Sequence, residues 1–330
     1  MSVQNVLVTG GCGFIGSNLS KRLCEDGNKV TIIDNLSRGK KRYLDYLDVN
    51  ADVKILDLRE WNEDLLKVFS DIDLVFHCAS RIGGNQYLHG SYTNELIALQ
   101  DNIAIDRNVI RACLESNVKR IVYTSSISVY NTSSQNSPNA IFSENDLERQ
   151  PLEPEGGYGW AKYIGEKQLN WLSKNGTNIG ISRIFKSYGQ CDDYSEASGQ
   201  VVCSLMRKAI NYPKERYVVW GDGSVTRCLV YIDDLVDGLI KLSEYIKNDS
   251  LTVNMGGQFP IPIIQLSKYI IKIAGKNIKQ EHDMKAPVGV KSRIPVLKKA
   301  KEKLGWEPTT NLEIGLKKTY EWMKYDIANY

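Results

Sequence analysis

The chain has 330 residues, of which 42% are hydrophobic and 25% are charged, and its formal net charge is +3 at pH 7. This length suits one large domain or two closely joined ones with a sizeable core. The small net charge gives no reason to expect nucleic acid or a membrane surface as a partner, although it would tolerate an anionic substrate. No apolar stretch approaches the roughly 18 residues that span a bilayer, and no signal-peptide pattern precedes the first strand.

Seven cysteines and three histidines are scattered along the chain. The cysteines show no C-x-x-C spacing and the histidines show no ligand spacing. This pattern predicts free thiols in a reducing cytoplasm, rather than disulfides, and it predicts no metal site.

Short β-branched runs alternate with helical periodicity through the first half of the chain. Strands are predicted at residues 5–9, 29–33, 73–76, 120–123 and 179–184, and helices at 17–26, 94–116 and 161–174. Such alternation predicts right-handed βαβ crossovers. The expected fold class is therefore α/β, with a doubly wound parallel sheet of the Rossmann type.

The pattern changes after residue 185. Residues 186–200 are polar and rich in turn formers, as a loop would be. Helices are predicted at 201–211, 233–245, 263–274 and 312–325, with a short extended piece at 217–220. We therefore predict a sheet domain over residues 1–185 and a smaller, mostly helical substrate-binding part over 186–330, with the chain crossing between the two.

Glycines at positions 10, 13 and 16 follow the first predicted strand and open a helix. Gly10 permits a tight turn, Gly13 lets the backbone approach a pyrophosphate, and Gly16 lets the helix pack against the strand. The start of the helix, with Phe14 and Ile15, offers free N–H groups to the phosphates. The turn therefore predicts a dinucleotide site.

Asp34 ends the second predicted strand. A carboxylate there can accept hydrogen bonds from both adenosine ribose hydroxyls and would repel a 2′-phosphate, which predicts NAD rather than NADP. Arg38 and Lys40 lie nearby and could soften that preference. Asp57, which ends a later strand-like run, is a candidate adenine contact, with a helix cap as the alternative.

Tyr158 and Lys162 lie four residues apart at the start of a predicted helix and so share one face. A free Tyr titrates at about 10, too high for a base at neutral pH. A neighbouring ammonium and the positive nicotinamide ring would favour the phenolate. Ser126 closes a predicted strand, where its hydroxyl can bind the alcohol being oxidised. These three residues are the predicted catalytic set, and Lys162 can also bind the nicotinamide ribose.

An ordered series of motifs carries a family resemblance. The motifs lie at residues 9–17, 34–39, 77–80, 125–130, 158–162, 220–227, 231–234 and 304–308. Together they resemble the extended short-chain dehydrogenases/reductases (the NAD-dependent epimerase/dehydratase family) that modify nucleotide sugars, over essentially the whole chain. The resemblance implies tightly held NAD, a nucleotide-sugar cleft between the two parts, and a homodimer built on a four-helix bundle.

The resemblance also implies further binding residues. Additional cofactor contacts are expected at Asn35, Arg38, Leu58, Cys78, Ala79, Ser80 and Asn102, and substrate contacts at Gly84, Asn85, Ser128, Lys186 and Arg227. Arg227 matches the family's usual diphosphate contact, where an arginine suits a bidentate grip. Lys186 stands where relatives usually carry Asn. A cation there would suit a phosphate or a sugar hydroxyl, and a solvated lysine is the alternative.

Members of the family first oxidise the sugar, usually at C4, and differ in the acid/base groups that act next. The 4,6-dehydratases place an Asp-Glu pair where this chain has Ile127 and Ser128. Residues 81–84 and 206–209 resemble the GDP-mannose 3,5-epimerases most. Those enzymes use a Cys at the position of Ser128 and a Lys near Gln200. A serine is a far weaker acid than a thiol and a glutamine does not titrate, so neither dehydration nor double epimerisation is expected.

Two chemistries remain that need only the predicted Ser, Tyr, Lys and NAD: a nucleotide-sugar 4-epimerase and a 4-dehydrogenase that releases a keto sugar. The likeness favours a GDP-linked hexose or heptose over a UDP- or dTDP-linked one, and keeps an epimerase of the 3,5 type as an alternative. An NAD-sensing pseudo-enzyme is disfavoured by the intact catalytic set. A reductase of small carbonyls would not need the diphosphate contact at Arg227.

Overall fold

The computed structural model describes residues 3–148 and 151–330 of the chain. The strands in chain order are β1 Asn5–Thr9, β2 Lys29–Asp34, β3 Asp52–Ile55, β4 Leu74–His77, β5 Arg120–Ser126, β6 Ile141–Phe142, β7 Asn178–Ile184, β8 Lys186–Tyr188, β9 Val218–Trp220, β10 Thr226–Tyr231, β11 Leu251–Met255, β12 Pro260–Pro262, β13 Glu281–Asp283 and β14 Ile294–Pro295. The α-helices are α1 Phe14–Glu25, α2 Lys41–Tyr46, α3 Glu63–Phe69, α4 Asn85–His89, α5 Tyr92–Glu115, α6 Thr132–Gln135, α7 Gly156–Leu172, α8 Val201–Asn211, α9 Ile232–Tyr245, α10 Ile263–Ala274, α11 Lys298–Leu304 and α12 Leu312–Asn329.

Seven of these strands form one sheet in the order β11-β7-β5-β4-β1-β2-β3. Every neighbouring pair in it runs parallel. The strand order reverses between β1 and β4, and the crevice outside the carboxyl ends of such strands is where doubly wound folds bind their ligands. The predicted Rossmann-type fold is confirmed.

The sheet is buried on both faces, because successive side chains of its strands enter different apolar cores. Val6 and Val8 of β1 pack in the core that includes α1 and α9, whereas Leu7 packs in the core that includes α5 and α7. Ile32 and Ile33 of β2 divide in the same way. Strands buried on both faces need continuous apolar runs, which is why the sequence shows β-branched runs here rather than alternation.

The second half of the chain combines helices with short strands. The helices α8 and α10 have the bounds that their periodicity predicts. β11 joins the parallel sheet beside β7, while β8, β10 and β12 form a separate three-stranded sheet. β8 lies inside the segment predicted to be a loop, and it pairs with β10 in parallel. The division of the chain at residue 185 stays a prediction.

A buried ion pair joins α7 to β7. Arg183 donates from Nε and Nη2 to the Glu166 carboxylate at 3.0 and 2.8 Å. Ser125, next to the end of β5, donates from Oγ to the same carboxylate at 2.6 Å. Both charged side chains are almost fully buried. This contact therefore fixes β5 and α7 relative to each other.

We expect the Glu166→Gln substitution to lower the free energy of unfolding by about 3–5 kcal/mol, because it leaves the Arg183 guanidinium buried without a counter-charge. The control Glu25→Gln removes an exposed partner of Lys21 and should change that free energy by less than about 1 kcal/mol. Urea unfolding followed by circular dichroism measures both. Equal unfolding midpoints in the two variants would contradict the stabilising role of the buried pair.

Candidate active site

A cleft of about 380 Å³ opens at the carboxyl edge of the parallel sheet. Of the residues predicted to bind or react, it is lined by Gly10, Gly13, Phe14, Ile15, Gly16, Asp34, Asn35, Arg38, Asp57, Leu58, Cys78, Ala79, Ser80, Gly84, Ser126, Ser128, Tyr158, Lys162, Lys186 and Arg227. The fold thus brings together segments that are far apart in the sequence.

Two predicted contacts stand apart from this lining. Asn102 is buried and accepts hydrogen bonds from Ser80 Oγ at 2.7 Å and from the Arg81 N–H at 2.8 Å. It therefore positions the segment after β4, which does line the cleft. The backbone of Asn85 begins α4, but its side chain lies outside what the structure describes.

The glycine turn has the geometry that a pyrophosphate needs. Gly10 has a φ of +69°, in the region that favours glycine. A Cβ on Gly16 would overlap the Gly10 carbonyl oxygen, so only glycine lets α1 pack this closely. Gly13 precedes α1 and has no side chain to cap the first helical turn. The free N–H groups of that turn are therefore left for an anion.

Asp34 and Arg38 set the charge at the adenosine end. Asp34 is buried and accepts hydrogen bonds from the N–H groups of Cys12 at 3.0 Å and Leu36 at 2.8 Å. The pKa of Asp34 lies above its ordinary value, because burial raises it by more than these two hydrogen bonds lower it. Arg38 is ion-paired with Asp193 at 2.7 Å. Because this cation already has a partner, the arrangement fits the two free hydroxyls of NAD better than a 2′-phosphate.

Asp57 lines the cleft, and its role as an adenine contact stays a prediction. It does not cap a helix, because Asn62 is the N-cap of α3; instead it accepts a hydrogen bond from the Arg59 N–H at 2.9 Å within a turn. The Arg59 side chain lowers the pKa of Asp57 to about 2. Asn35 donates to the same carboxylate at 3.1 Å. The carboxylate is therefore ionised and held in place at the edge of the cleft.

The start of α7 brings Tyr158 to the end of β5. The helix begins at Gly156, five residues earlier than periodicity predicts. The Gly157 N–H donates to Glu95 Oε2 on α5 at 2.5 Å, and a Cβ on Gly157 would overlap the Glu95 carbonyl oxygen. Because Gly156 and Gly157 have no side chains, the start of α7 can approach α5 this closely.

Tyr158 lies beside the hydroxyls of Ser126 and Ser80. Burial raises the pKa of Tyr158, and these two hydroxyls oppose the shift only in part. Lys162 is 1% exposed; burial lowers its pKa, and Asp106 acts in the opposite direction. Burial outweighs these contacts, so Lys162 is not enough by itself, in line with the expectation that it favours the phenolate together with the positive nicotinamide ring. A further cation is needed beside the phenol.

Charged residues gather at the other end of the cleft. Arg293 is ion-paired with Glu155 at 2.5 Å, and Ser128 Oγ donates to the same carboxylate at 2.8 Å. Burial lowers the pKa of Lys186 to about 8, and Arg227 and Arg293 add to this effect. Burial and the charge of Arg293 lower the pKa of Arg227 to about 10. Buried cations this close to one another mark a site suited to a diphosphate.

Sequence reasoning missed Glu155 and Arg293, which both line the cleft. Glu155 lies three residues before Tyr158, in a turn that carries no acid/base motif. Arg293 lies between β13 and β14 in a stretch without any binding motif. Proximity to Tyr158 was the only available signal for Glu155, and no local signal marked Arg293.

The described residues, 3–148 and 151–330, lack two kinds of feature. None of the helices there combines the length and apolar character of a membrane span. Nor do those residues include a group of three or more His, Cys, Asp or Glu side chains placed to hold a metal ion.

Two substitutions in the glycine turn separate its role in NAD binding from its role in folding. In Gly13→Ala the added methyl would meet only the Gly10 carbonyl oxygen, at 3.3 Å, among the described atoms within contact distance. We expect NAD affinity to fall at least about 10-fold and unfolding free energy to fall by no more than about 1 kcal/mol. Gly16→Ala should instead destabilise the protein by about 1–3 kcal/mol through overlap with backbone atoms. Calorimetric NAD titration and urea unfolding measure both; identical profiles would contradict the assigned roles.

Comparisons with known proteins agree with this geometry. Residues 6–256 match the NAD dependent epimerase/dehydratase family. The chain is similar to GDP-mannose 3,5-epimerase of Arabidopsis thaliana, with 30% identity over 325 residues, covering 98% of this chain and 82% of that protein. It is also similar to the solved structure of UDP-glucose 4-epimerase from Thermotoga maritima with UDP-glucose, with a TM-score of 0.86, 29% identity, and coverage of 98% of this chain and 99% of that chain.

A further solved structure was determined with its cofactor. It is UDP-glucuronic acid 4-epimerase from Bacillus cereus in complex with UDP-glucuronic acid and NAD, with a TM-score of 0.84, 26% identity, and coverage of 97% of this chain and 99% of that chain. The family match spans more than half of the chain. The chain therefore belongs to the NAD-dependent epimerase/dehydratase family and is an NAD-dependent enzyme that modifies nucleotide sugars.

Proposed function

We propose that the protein oxidises C4 of a nucleotide-activated sugar and acts as a 4-epimerase or a 4-dehydrogenase. The observation that carries this proposal is the meeting of Ser126, Tyr158 and Lys162 within one cleft. The same cleft holds the glycine turn on one side and the cations Lys186 and Arg227 on the other. A sugar between these two sets of residues would present its ring to the hydroxyls of Ser126 and Tyr158.

Each group in the cleft has a proposed task. Gly10, Gly13 and the start of α1 hold the pyrophosphate of NAD, Asp34 the adenosine ribose, and Lys162 the nicotinamide ribose. When bound, NAD supplies the hydride acceptor and a positive ring that favours the Tyr158 phenolate. The Tyr158 oxygen takes the proton of the C4 hydroxyl. Ser126 donates a hydrogen bond to the C4 oxygen and so orients it.

The nucleotide is proposed from two kinds of likeness. The 30% identity to GDP-mannose 3,5-epimerase supports a GDP-linked hexose or heptose. The solved structures with UDP-glucose and UDP-glucuronic acid support a UDP-linked sugar as the second candidate. Arg227 and Lys186 would contact the diphosphate in either case, since both nucleotides share it.

We also propose that the protein is a cytoplasmic homodimer. The helices α5 and α7 expose Tyr92, Leu96, Trp160 and Trp171. Aromatic side chains of this kind are enriched in protein interfaces, and pairing with the same helices of a second copy would bury them. All seven cysteines are free, as suits a reducing compartment.

A panel of GDP- and UDP-sugars tests the proposed function, with the sugar followed by NMR and NADH by absorbance. An inverted C4 without net NADH identifies a 4-epimerase, and a keto sugar with matching NADH identifies a 4-dehydrogenase. Tyr158→Phe should lower turnover at least about 100-fold, because it removes the base, and should still bind NAD. Tyr163→Phe on the same helix, outside the cleft lining, should retain turnover. The proposal fails if no sugar nucleotide reacts or if the Tyr158 variant turns over normally.

Lys186 predicts a pH dependence of nucleotide-sugar binding. Because burial lowers its pKa to about 8, Lys186 is charged below that pH and neutral above it. We expect the Kd to rise as the pH increases from about 7 to about 9, since a cation facing the diphosphate is lost. In Lys186→Gln the Kd should be higher at the lower pH and should lack this rise. A wild-type Kd that stays constant over this range would exclude Lys186 from the anion site.

A further inference from the structure

A carboxylate that C4 oxidation does not require lies beside the catalytic hydroxyls. Glu155 lines the cleft, and its side chain is 14% exposed. It accepts a hydrogen bond from Ser128 Oγ at 2.8 Å. Ser128 is one of the two positions directly after Ser126 at which the sequence offers no carboxylate. The fold therefore brings to Ser128, from the residue just before α7, a carboxylate that the segment after β5 does not carry.

The segment after β5 and the segment that begins α7 together form two side-chain pairs. Each pair consists of a serine and a group that can accept a proton. Ser126 and Ser128 flank the start of the 3₁₀ turn Ile127–Val129, and the Ser128 N–H donates to Ser126 Oγ at 3.1 Å. Glu155 and Tyr158 flank the start of α7. Because Ser126 lies beside Tyr158 and Ser128 is hydrogen-bonded to Glu155, the second pair lies directly alongside the first.

Backbone contacts fix the second pair in place. The Glu155 N–H donates to the Ser128 carbonyl oxygen at 2.8 Å. A Cβ on Gly159 would overlap that same carbonyl oxygen, so a glycine is needed for the two segments to approach. The carboxylate and the Ser128 hydroxyl are therefore held in contact before any substrate binds.

The charge state of Glu155 suits a proton acceptor. Burial on its own would raise the pKa of Glu155, but Arg293 and the Ser128 hydrogen bond outweigh burial and lower it. Arg293 is in turn positioned by Gln135, which accepts from its Nε at 2.7 Å. Glu155 is therefore ionised at neutral pH and can accept a proton passed on by Ser128.

We propose that Glu155, acting through Ser128, removes a proton from a sugar carbon next to C4. This rests on the proposed C4 oxidation, because a C–H bond becomes acidic only once its neighbour is a ketone. Ser128 Oγ takes the carbon-bound proton as its own proton passes to Glu155. The electron pair of the C–H bond forms a C=C bond, and the carbonyl π pair moves onto O4, beside Ser126 and Tyr158. The reverse steps return a proton to the carbon and restore the ketone.

This proton transfer gives the enzyme a second activity. The proton held by Glu155 exchanges with water that enters the cleft, so the carbon acquires solvent hydrogen. Return of the proton to the same face leaves the configuration unchanged but labels the carbon. The chemistry therefore extends beyond C4 to a neighbouring carbon.

Turnover in D₂O, with a nucleotide sugar that the enzyme oxidises at C4, tests the proposal. We expect deuterium at one carbon next to C4, C3 or C5, in the recovered sugar, measured by NMR and mass spectrometry. Labelling at one carbon distinguishes the enzymatic step from enolisation of a released ketone, which labels both neighbours. Glu155→Gln should lower the ratio of deuterium incorporation to C4 turnover at least about 100-fold.

Two further variants separate proton transfer from a structural role. Ser128→Ala leaves the carboxylate intact and should lower the same ratio, because it removes the hydroxyl that relays the proton. Glu155→Asp keeps the charge and should restore part of the ratio that Glu155→Gln loses. Wild-type C4 turnover without label at C3 or C5 would overturn this inference and leave the proposed function standing. Unchanged labelling in Glu155→Gln would remove Glu155 from the role, and absence of C4 turnover with every sugar would refute both proposals.

Discussion

Burial of one parallel sheet on both faces determines where this protein can bind its ligands. Helices cover the two faces, so the accessible crevice lies at the carboxyl ends of the strands, where the order reverses between β1 and β4. The glycine turn follows β1, Asp34 ends β2, Ser126 ends β5, and Lys186 follows β7. The proposed cofactor and substrate contacts converge because the parallel strands all end at one edge.

Buried charges hold this edge in register. Asp106 receives hydrogen bonds from Tyr123 on β5 at 2.7 Å and interacts with His77 on β4 at 3.0 Å. The same carboxylate favours the charged form of Lys162, which burial opposes. Glu166 connects α7 to β7 through Arg183. The side chains proposed to react therefore lie on segments whose positions are set by buried, fully paired carboxylates, and this limits their movement relative to the sugar.

Much of the site could be predicted because its residues lie in local patterns. Gly10, Ser126 and Lys162 each stand at a fixed spacing within a strand end or a helix start, and the fold preserves that spacing. Helical periodicity predicts the start of α7 too late, because Gly156 and Gly157 resemble a turn in sequence and only their contact with α5 shows that they are helical.

Glu155 and Arg293 could not be predicted, because they meet only in the folded chain. The expectation of chemistry confined to C4 rests on the residue types at Ile127, Ser128 and Gln200. Those positions carry no sign of the helix start that brings a carboxylate to the hydroxyl of Ser128. The proposed 4-epimerase and 4-dehydrogenase activities therefore both concern hydride transfer at C4. The pair of Ser128 and Glu155 is proposed to act on the keto sugar that this transfer forms.

The fate of deuterium placed at C4 of a nucleotide-sugar substrate tests hydride transfer at that carbon most directly. If Tyr158 and Ser126 act at C4, the label should slow turnover. It should then be found either on an inverted C4 or in the reduced nicotinamide, with none released to water. Release of the label into solvent, or a label that never passes to the nicotinamide during turnover, would contradict oxidation at this carbon.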